Sequence, residues 1–302
     1  MSFHMKNAYA RRAIKAAAIS LFALLASVAH ADWGGLNMTE GVSILSQEIY
    51  GLHMEIFYWC IGIGVVVFGV MIYSLIKFRR SQGAQADTKL VHSTKVEIIW
   101  TVIPIMILVA MAIPTARGLI KIEDMEGATL DIKVTGYQWK WEYEYLGHDV
   151  SFFSTIKRDS NAARQLGSGI DPYTVPNYLL DVDNPLVIPA GTKIRFLLTA
   201  QDVIHAWWVP AFGMKKDAIP GYLSPIWVQV DADKVGTYRG QCAELCGQDH
   251  AFMPIVVEVK SPADYDTWLR AKQAEQKLAG EPAATAPVAT TVASAAPAAT
   301  QK

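Results

Sequence analysis

The sequence predicts a membrane hairpin of two helices carrying an all-β domain, a sandwich or barrel, outside the membrane. Three observations predict it: two long uncharged apolar runs, a basic stretch between them, and a change to short β-rich runs after Gly127. Of the 302 residues, 52% are hydrophobic and 18% charged. Soluble domains usually carry about 25% charge, so the composition argues against a purely soluble or nucleic-acid-binding protein. The net charge of -1 conceals a division. Met1 to Lys121 holds 11 Lys/Arg against 6 Asp/Glu, and Ile122 to Arg270 holds 13 against 20. A basic, apolar anchor thus joins an acidic head, whose natural partner is basic.

Residues 1–31 read as a signal peptide. Lys6, Arg11, Arg12 and Lys15 precede an apolar run that ends at Ala29-His30-Ala31, a small-x-small cleavage pattern. The run is too short to cross a bilayer, which needs about 20 residues. Residues 32–55 follow as an extracytoplasmic segment. The uncharged runs 56–76 and 98–116 give helices of about 31 and 28 Å, long enough to span. In the loop 77–97, Lys77, Arg79, Arg80, Lys89 and Lys95 outnumber Asp87 and Glu97. The positive-inside rule puts that loop in the cytoplasm, and everything after Thr115 outside. The predicted location is therefore a membrane crossed twice, with the head on the extracytoplasmic side.

Within 127–260, the runs Thr129–Thr135, Tyr137–Tyr145, Leu186–Thr199, Ile226–Val230, Gly236–Gln241 and Pro254–Val259 are rich in Val, Ile, Tyr and Trp. Turn residues separate them, which is the pattern of strands. Ser151 to Tyr178 reads as a long surface loop. Residues 261–278 read as a helix with Ser261 as N-cap and Pro262 at its first position. Residues 279–302 are an Ala, Pro and Thr-rich tail, too simple to build a core.

The chemistry concentrates between Gln241 and Met253, where Cys242, Cys246, His250 and Met253 fall within twelve residues. His205 follows the strand that ends near Ala200. Thiolate, imidazole and thioether form a soft donor set that suits copper better than magnesium or calcium. Zinc sites usually pair cysteines more closely and do not use methionine. A mononuclear blue-copper site needs one cysteine, so the second cysteine points to a second copper with both sulfurs bridging. In an oxidising compartment, a plain Cys242–Cys246 disulfide stays open as the alternative.

These residues, with Glu97-Ile98-Ile99-Trp100-Thr101, Gln138-Trp139-Lys140-Trp141, Asp202-Val203-Ile204-His205 and Lys216-Asp217-Ala218-Ile219-Pro220-Gly221, give a chain that resembles subunit II of the haem-copper cytochrome c oxidases from roughly Gly41 to Leu269. The resemblance implies a cupredoxin-like head holding the binuclear copper A centre. Cys242 and Cys246 would bridge two copper ions, with His205 and His250 ligating one each. Met253 and the Glu244 carbonyl would be weak axial ligands. The Glu244 carboxylate would bind magnesium at the subunit I interface, and haem would belong to subunit I alone. The resemblance also makes Trp139 the port through which electrons arrive from cytochrome c. It places Glu97 at the mouth of a proton pathway, although Thr94-x-x-Glu97 also reads as a plain capping box.

Glu142, Glu144, Asp149, Asp181, Asp183 and Asp202 would dock a lysine-rich cytochrome c. The expected enzyme is the oxidase complex, which reduces oxygen in subunit I and translocates protons. Its partners would be cytochrome c, subunits I and III and membrane lipid, with no nucleic acid. A membrane-tethered copper-delivery protein and a metal-free quinol oxidase subunit are the alternatives, the second being expected to lack the cysteine loop.

Overall fold

The computed structural model describes residues 37–83, 85 and 92–280. The stretch read as a signal peptide, the start of the segment after it, positions 84 and 86–91 of the loop between the apolar runs, and the tail from residue 281 lie outside the described residues.

Helix α1 runs Ile44–Lys77 and α2 runs Thr94–Ile122; among the described residues these two are long and apolar enough to cross a membrane. α1 starts twelve residues before its apolar run because Ser43 caps it. The Ser43 hydroxyl accepts from the Ser46 amide, and the Ser46 hydroxyl accepts from the Ser43 amide, a reciprocal cap that satisfies two otherwise orphaned donors. For α2 the expected capping box does not form: Ser93 is the N-cap and makes no side-chain cap bond. Thr94 lies one position too far along, and the Glu97 carboxylate is turned instead to His92 Nδ1 at 2.6 Å. The helices meet where Leu52 fills the space beside Gly118, so closely that a Cβ there would lie 2.5 Å from Leu52 Cδ1.

The head contains ten strands in two five-stranded sheets. In chain order they are β1 Leu130–Tyr137, β2 Lys140–Tyr145, β3 Val150–Ser154, β4 Leu186–Pro189, β5 Ile194–Ala200, β6 His205–Val209, β7 Met214–Ala218, β8 Ser224–Val228, β9 Gly236–Cys242 and β10 Pro254–Lys260. One sheet has the order β3-β2-β1-β5-β8 and the other β4-β10-β9-β6-β7. The β1–β5 and β4–β10 pairs are parallel and the rest antiparallel, which gives the cupredoxin-like sandwich expected. Alternation along β1 and β2 sends Ile132, Val134, Trp141 and Tyr143 inward, where they meet Phe196, Trp207, Ile255 and Val257 in one core. Period 2 along a strand produces this division of faces. The Tyr145 hydroxyl joins the sheets, donating to the Val187 carbonyl at 2.7 Å and accepting from its amide at 3.0 Å.

Three sequence readings need correction. Tyr137–Tyr145 is not one strand, because the chain reverses at Gln138-Trp139 and Tyr137 pairs with Lys140; no Gly, Asn or Pro announces that turn. Leu186–Thr199 is two strands, broken where Gly191 takes a positive φ of 72°. The supposed surface loop Ser151–Tyr178 supplies β3 and the short helix α3, Arg158–Ala163, which docks by burying Ser160 and Ala163. The last helix, α4, runs Pro262–Gly280. The Asp264 amide donates to the Ser261 hydroxyl, and Tyr265 and Leu269 pack into the core.

The head is fixed to both membrane helices. Leu45, in the first turn of α1, is fully buried, which stabilises the contact by about 2 kcal/mol. The Ser43 hydroxyl donates to the Phe212 carbonyl at 2.8 Å. At the far end of α2, Trp227 Nε1 donates to the Lys121 carbonyl at 3.3 Å. Lys193 Nζ donates to the carbonyls of Asp124 and Glu126 at 2.9 and 2.6 Å.

Candidate metal centre

β6 and β9 are neighbours, with Trp207 opposite Cys242. Gly240 permits their approach, since a Cβ there would meet the Trp208 carbonyl oxygen at 2.0 Å. His205, the first residue of β6, thereby lies beside Cys242, the last of β9. The loop from Ala243 to Met253 then turns back over both before β10 begins. Its first half is tied down from outside: the Cys246 carbonyl accepts from Gln138 Nε2 at 2.8 Å and from Trp139 Nε1 at 3.2 Å, and the Ala243 amide donates to the Ala206 carbonyl at 3.0 Å.

Six donor atoms converge as a result. Cys242 Sγ lies 3.9 Å from His205 Nδ1, 3.3 Å from the Glu244 carbonyl oxygen and 3.9 Å from Cys246 Sγ. Cys246 Sγ lies 3.5 Å from both His250 Nδ1 and Met253 Sδ. The His205, Cys242 and Cys246 donor atoms all fall within 4.8 Å of one another. Both cysteines are free thiols, and their separation is roughly twice the length of a disulfide bond. Two thiols, two imidazoles, a thioether and a carbonyl, with no carboxylate oxygen among them, suit copper in chemistry and in number.

Electrostatics divides the two sulfurs. Burial pushes the Cys242 thiol up, but hydrogen bonds from His205 and the Ala206 amide outweigh it and bring the pKa down to about 7. Burial and the neighbouring Cys242 charge push Cys246 up to about 12. Burial favours neutral His205, yet its bonds to Cys242 and Asp202 raise its pKa above the ordinary value. Asp202 also resists burial: bonds from His205 and from the Gln138 and Val203 amides hold its carboxyl below the usual range. The Asp202 carboxylate faces His205 Nε2 at 3.0 Å, the arrangement that fixes a histidine's tautomer and leaves Nδ1 for a metal. This role was missed in the sequence, although the i,i+3 spacing of Asp202 and His205 was there to be read.

Trp139 is half-buried in the β1–β2 turn, with its indole hydrogen-bonded to the donor loop. Trp141 is fully buried behind it, its ring edge-on to His205 at 5.9 Å. Glu244 is exposed and turns only its carbonyl inward.

The acidic residues scatter. Glu142 accepts from the Tyr137 hydroxyl at 2.8 Å near the turn. Asp181 is paired to Lys157 and Arg239 at 2.9 and 3.7 Å, and Asp183 accepts from the Thr155 amide and hydroxyl; both lie beside the end of β3 that faces Trp141. Glu144 bonds Lys133 at 3.2 Å, and Asp149 sits in the β2–β3 turn with a φ of 50°. Those two belong to the opposite end of β2, away from Trp139. Glu97 is at the other end of the membrane hairpin.

Comparison with known proteins follows these lines. The family described as "Cytochrome C oxidase subunit II, periplasmic domain" matches residues 130–260, and that described as "Cytochrome C oxidase subunit II, transmembrane domain" matches residues 31–117. A "Probable cytochrome c oxidase subunit 2" of Rickettsia bellii is 42% identical over 231 residues, 76% of this chain and 81% of the relative. A "Cytochrome c oxidase subunit 2" of Arabidopsis thaliana is 37% identical over 243 residues, 78% and 88% of the two chains. Among solved structures, the periplasmic domain of subunit II of cytochrome oxidase (CoxB) of Bradyrhizobium japonicum is 40% identical, covers 49% of this chain and 96% of its own, and gives a TM-score of 0.41.

Proposed function

The chain belongs to the subunit II family of the cytochrome c oxidases, and from that premise we propose that its head is the electron-accepting module of such an oxidase. Membership makes it part of an oxidoreductase complex, a membrane protein with an extracytoplasmic domain, and implies a copper A centre. The observation that carries the reading is the convergence of six soft and neutral donors from His205, Cys242, Glu244, Cys246, His250 and Met253 on one point of the head.

Two copper ions held there would supply one-electron storage between cytochrome c outside and haem in subunit I. The chain's own residues do the rest. Cys242 and Cys246 would hold the ions, with His205 and His250 each offering Nδ1 beside one of the two sulfurs. The weak donors Met253 Sδ and the Glu244 carbonyl complete the set. With Cys242, Cys246, His205 and Met253 buried, water is kept out and the donors move little on a change of charge. Such preorganisation favours electron transfer over bond-making chemistry.

Trp139 links the outer surface to the Cys246 carbonyl and is the electron port. Glu142 and Asp202 bond groups of the β1–β2 turn that carries it, and with Asp183 their field steers a basic cytochrome c; Asp181, already matched by Lys157 and Arg239, and Glu144 and Asp149 contribute less. The exposed Glu244 carboxylate is free to bind magnesium against subunit I, with subunit III completing the assembly. Glu97, 40% exposed in its side chain and bonded to His92, opens a proton pathway at the cytoplasmic face of a bacterial inner membrane.

The test is metal analysis with electron paramagnetic resonance on the purified full-length chain. Two coppers per chain, with the unpaired electron coupled equally to both nuclei, are expected. One copper, or hyperfine structure from a single nucleus, refutes the binuclear reading.

A further inference from the structure

The donor loop is held unevenly. Its first half is pinned by Gln138 and Trp139 through the Cys246 carbonyl. Its second half, from Gly247 to Phe252, carries His250 in a single 3-10 turn over His250–Phe252. The internal bonds of this half are short-range: the His250 amide donates to the Gly247 carbonyl at 3.2 Å, and the Phe252 amide donates to the Asp249 carbonyl at 2.9 Å. Gly247 has a φ of 114°, and a glycine there brings no steric preference of its own to hold the turn in this shape.

Arg164, the C-cap residue of α3, reaches over it. Its two terminal nitrogens each donate to one Asp249 carboxylate oxygen, both at 3.1 Å. Its Cζ lies 4.2 Å from the centre of the Phe252 ring. The guanidinium therefore grips the residue before His250 and the residue two after it. Arg164 is itself oriented, since Nε donates to Asn161 Oδ1 at 2.7 Å, and α3 beneath it is anchored through buried Ser160, whose hydroxyl accepts from the Leu179 amide at 3.2 Å. The side chains of Arg164 and Asp249 are only 18% and 24% exposed. Partly buried, bidentate Arg–carboxylate pairs with a stacked ring fix geometry in a way that a lysine's single point of charge does not.

We infer that Arg164 is a positioning residue for His250: the segment from Lys157 to Arg164 is a brace that holds the second half of the donor loop in its metal-binding shape. The inference rests on the copper reading above. It also removes Asp249 from the acids available to a basic partner, because its charge is already matched.

The experiment uses the full-length chain in detergent, as wild type and as Arg164→Gln, Arg164→Lys and Asp249→Asn. Amide hydrogen exchange on the copper-free protein reads the brace without reference to metal. In Arg164→Gln, amides of residues 247–252 should exchange at least about tenfold faster, while those of β10 stay at the wild-type rate. Copper release to a chelator from the loaded protein should accelerate about tenfold or more, the usual size of an outer-shell effect on metal retention. Arg164→Lys, which keeps the charge and loses the fork, should fall between, and Asp249→Asn should match Arg164→Gln. Unchanged exchange in the loop overturns the inference, as does equal acceleration through β9 and β10, which marks a general loss of stability. A loosened loop that releases copper at the wild-type rate also overturns it. A wild-type chain that takes up no copper overturns the metal reading and this role together, and is told apart by that measurement alone.

Discussion

Adding a single methyl group at Gly136 tests whether His205 is held in place by packing. Gly136 lies in β1 in ordinary extended backbone, so alanine brings no conformational strain of its own. Its Cβ, however, would lie 2.8 Å from His205 Cδ2, 3.0 Å from Cγ and 3.2 Å from Cβ. Ordinary contact begins at 3.4 Å, so the ring must yield by at least 0.6 Å. It has little room, being fully buried, edge-on to Trp141 and bonded to Asp202 on its far nitrogen. Donor groups must hold position to about 0.5 Å, so the required shift exceeds what the site tolerates. Overpacking of this kind costs about 1–3 kcal/mol, a loss of a few degrees in the melting temperature of the copper-free chain. Copper affinity should fall further, by about tenfold or more, because Nδ1 moves with the ring. Thermal melts of copper-free and loaded Gly136→Ala, run beside a competitive copper titration, measure both. Wild-type affinity and an unaltered copper spectrum would falsify the claim that packing from β1 sets the donor's place.

Trp139→Gln should cut the rate of electron uptake from ferrocytochrome c severely in stopped flow while leaving copper content and cytochrome c affinity near wild type; a normal rate in a folded, loaded mutant removes Trp139 from the path. If the indole served packing instead, the same change would appear as roughly 1–3 kcal/mol of lost stability in a thermal melt. Copper affinity should rise with pH, because protonated thiols do not bind. With Cys242 titrating near 7 and Cys246 near 12, each pH unit between those values adds about tenfold, and the slope steepens below pH 7 as the second proton must also leave; a flat profile in competition titrations contradicts the thiol assignment. Turnover with cytochrome c should weaken as salt rises, since exposed charges are screened over about 8 Å at physiological ionic strength, and Asp183→Asn should raise KM with copper spectra intact. A salt-independent association rate at low ionic strength argues against steering.

The membrane hairpin was legible because apolar run length and loop charge are properties of composition, which no later packing can override. The cluster was legible for a similar reason: Cys242, Cys246, His250 and Met253 lie within twelve residues, and the fold brings their sulfur and nitrogen atoms together. His205 had to be brought from a different strand: its residue type made it a candidate, and the pairing of β6 with β9 carries it to the loop. What escaped depends on contacts between distant segments. The Gln138-Trp139 reversal has no turn residue, since its geometry is fixed by bonds to the Cys246 carbonyl more than a hundred positions away. Helix α3 was hidden for the same reason: four polar residues and two alanines are too short a run to show helical periodicity, and what holds them is the burial of Ser160 and Ala163 against the head. Likewise the acids Glu144 and Asp149 looked like neighbours of Glu142 along the chain, and the strand direction carries them away.

The junction between head and hairpin removes a freedom that a tethered domain normally keeps. A body hung from one joint swings; hung from two, it turns only about the line through them. The sunken first turn of α1, with Leu45 and the Ser43–Phe212 bond, is one joint; the other is the grasp of Trp227 on the Lys121 carbonyl at the end of α2 and of Lys193 on the Asp124 and Glu126 carbonyls just beyond it. A bilayer thinner than the hairpin is met by helix tilt, and here that tilt is not absorbed at the junction. It carries the donor loop with it, so the height and bearing of the metal site above the lipid are inherited from how the two helices stand.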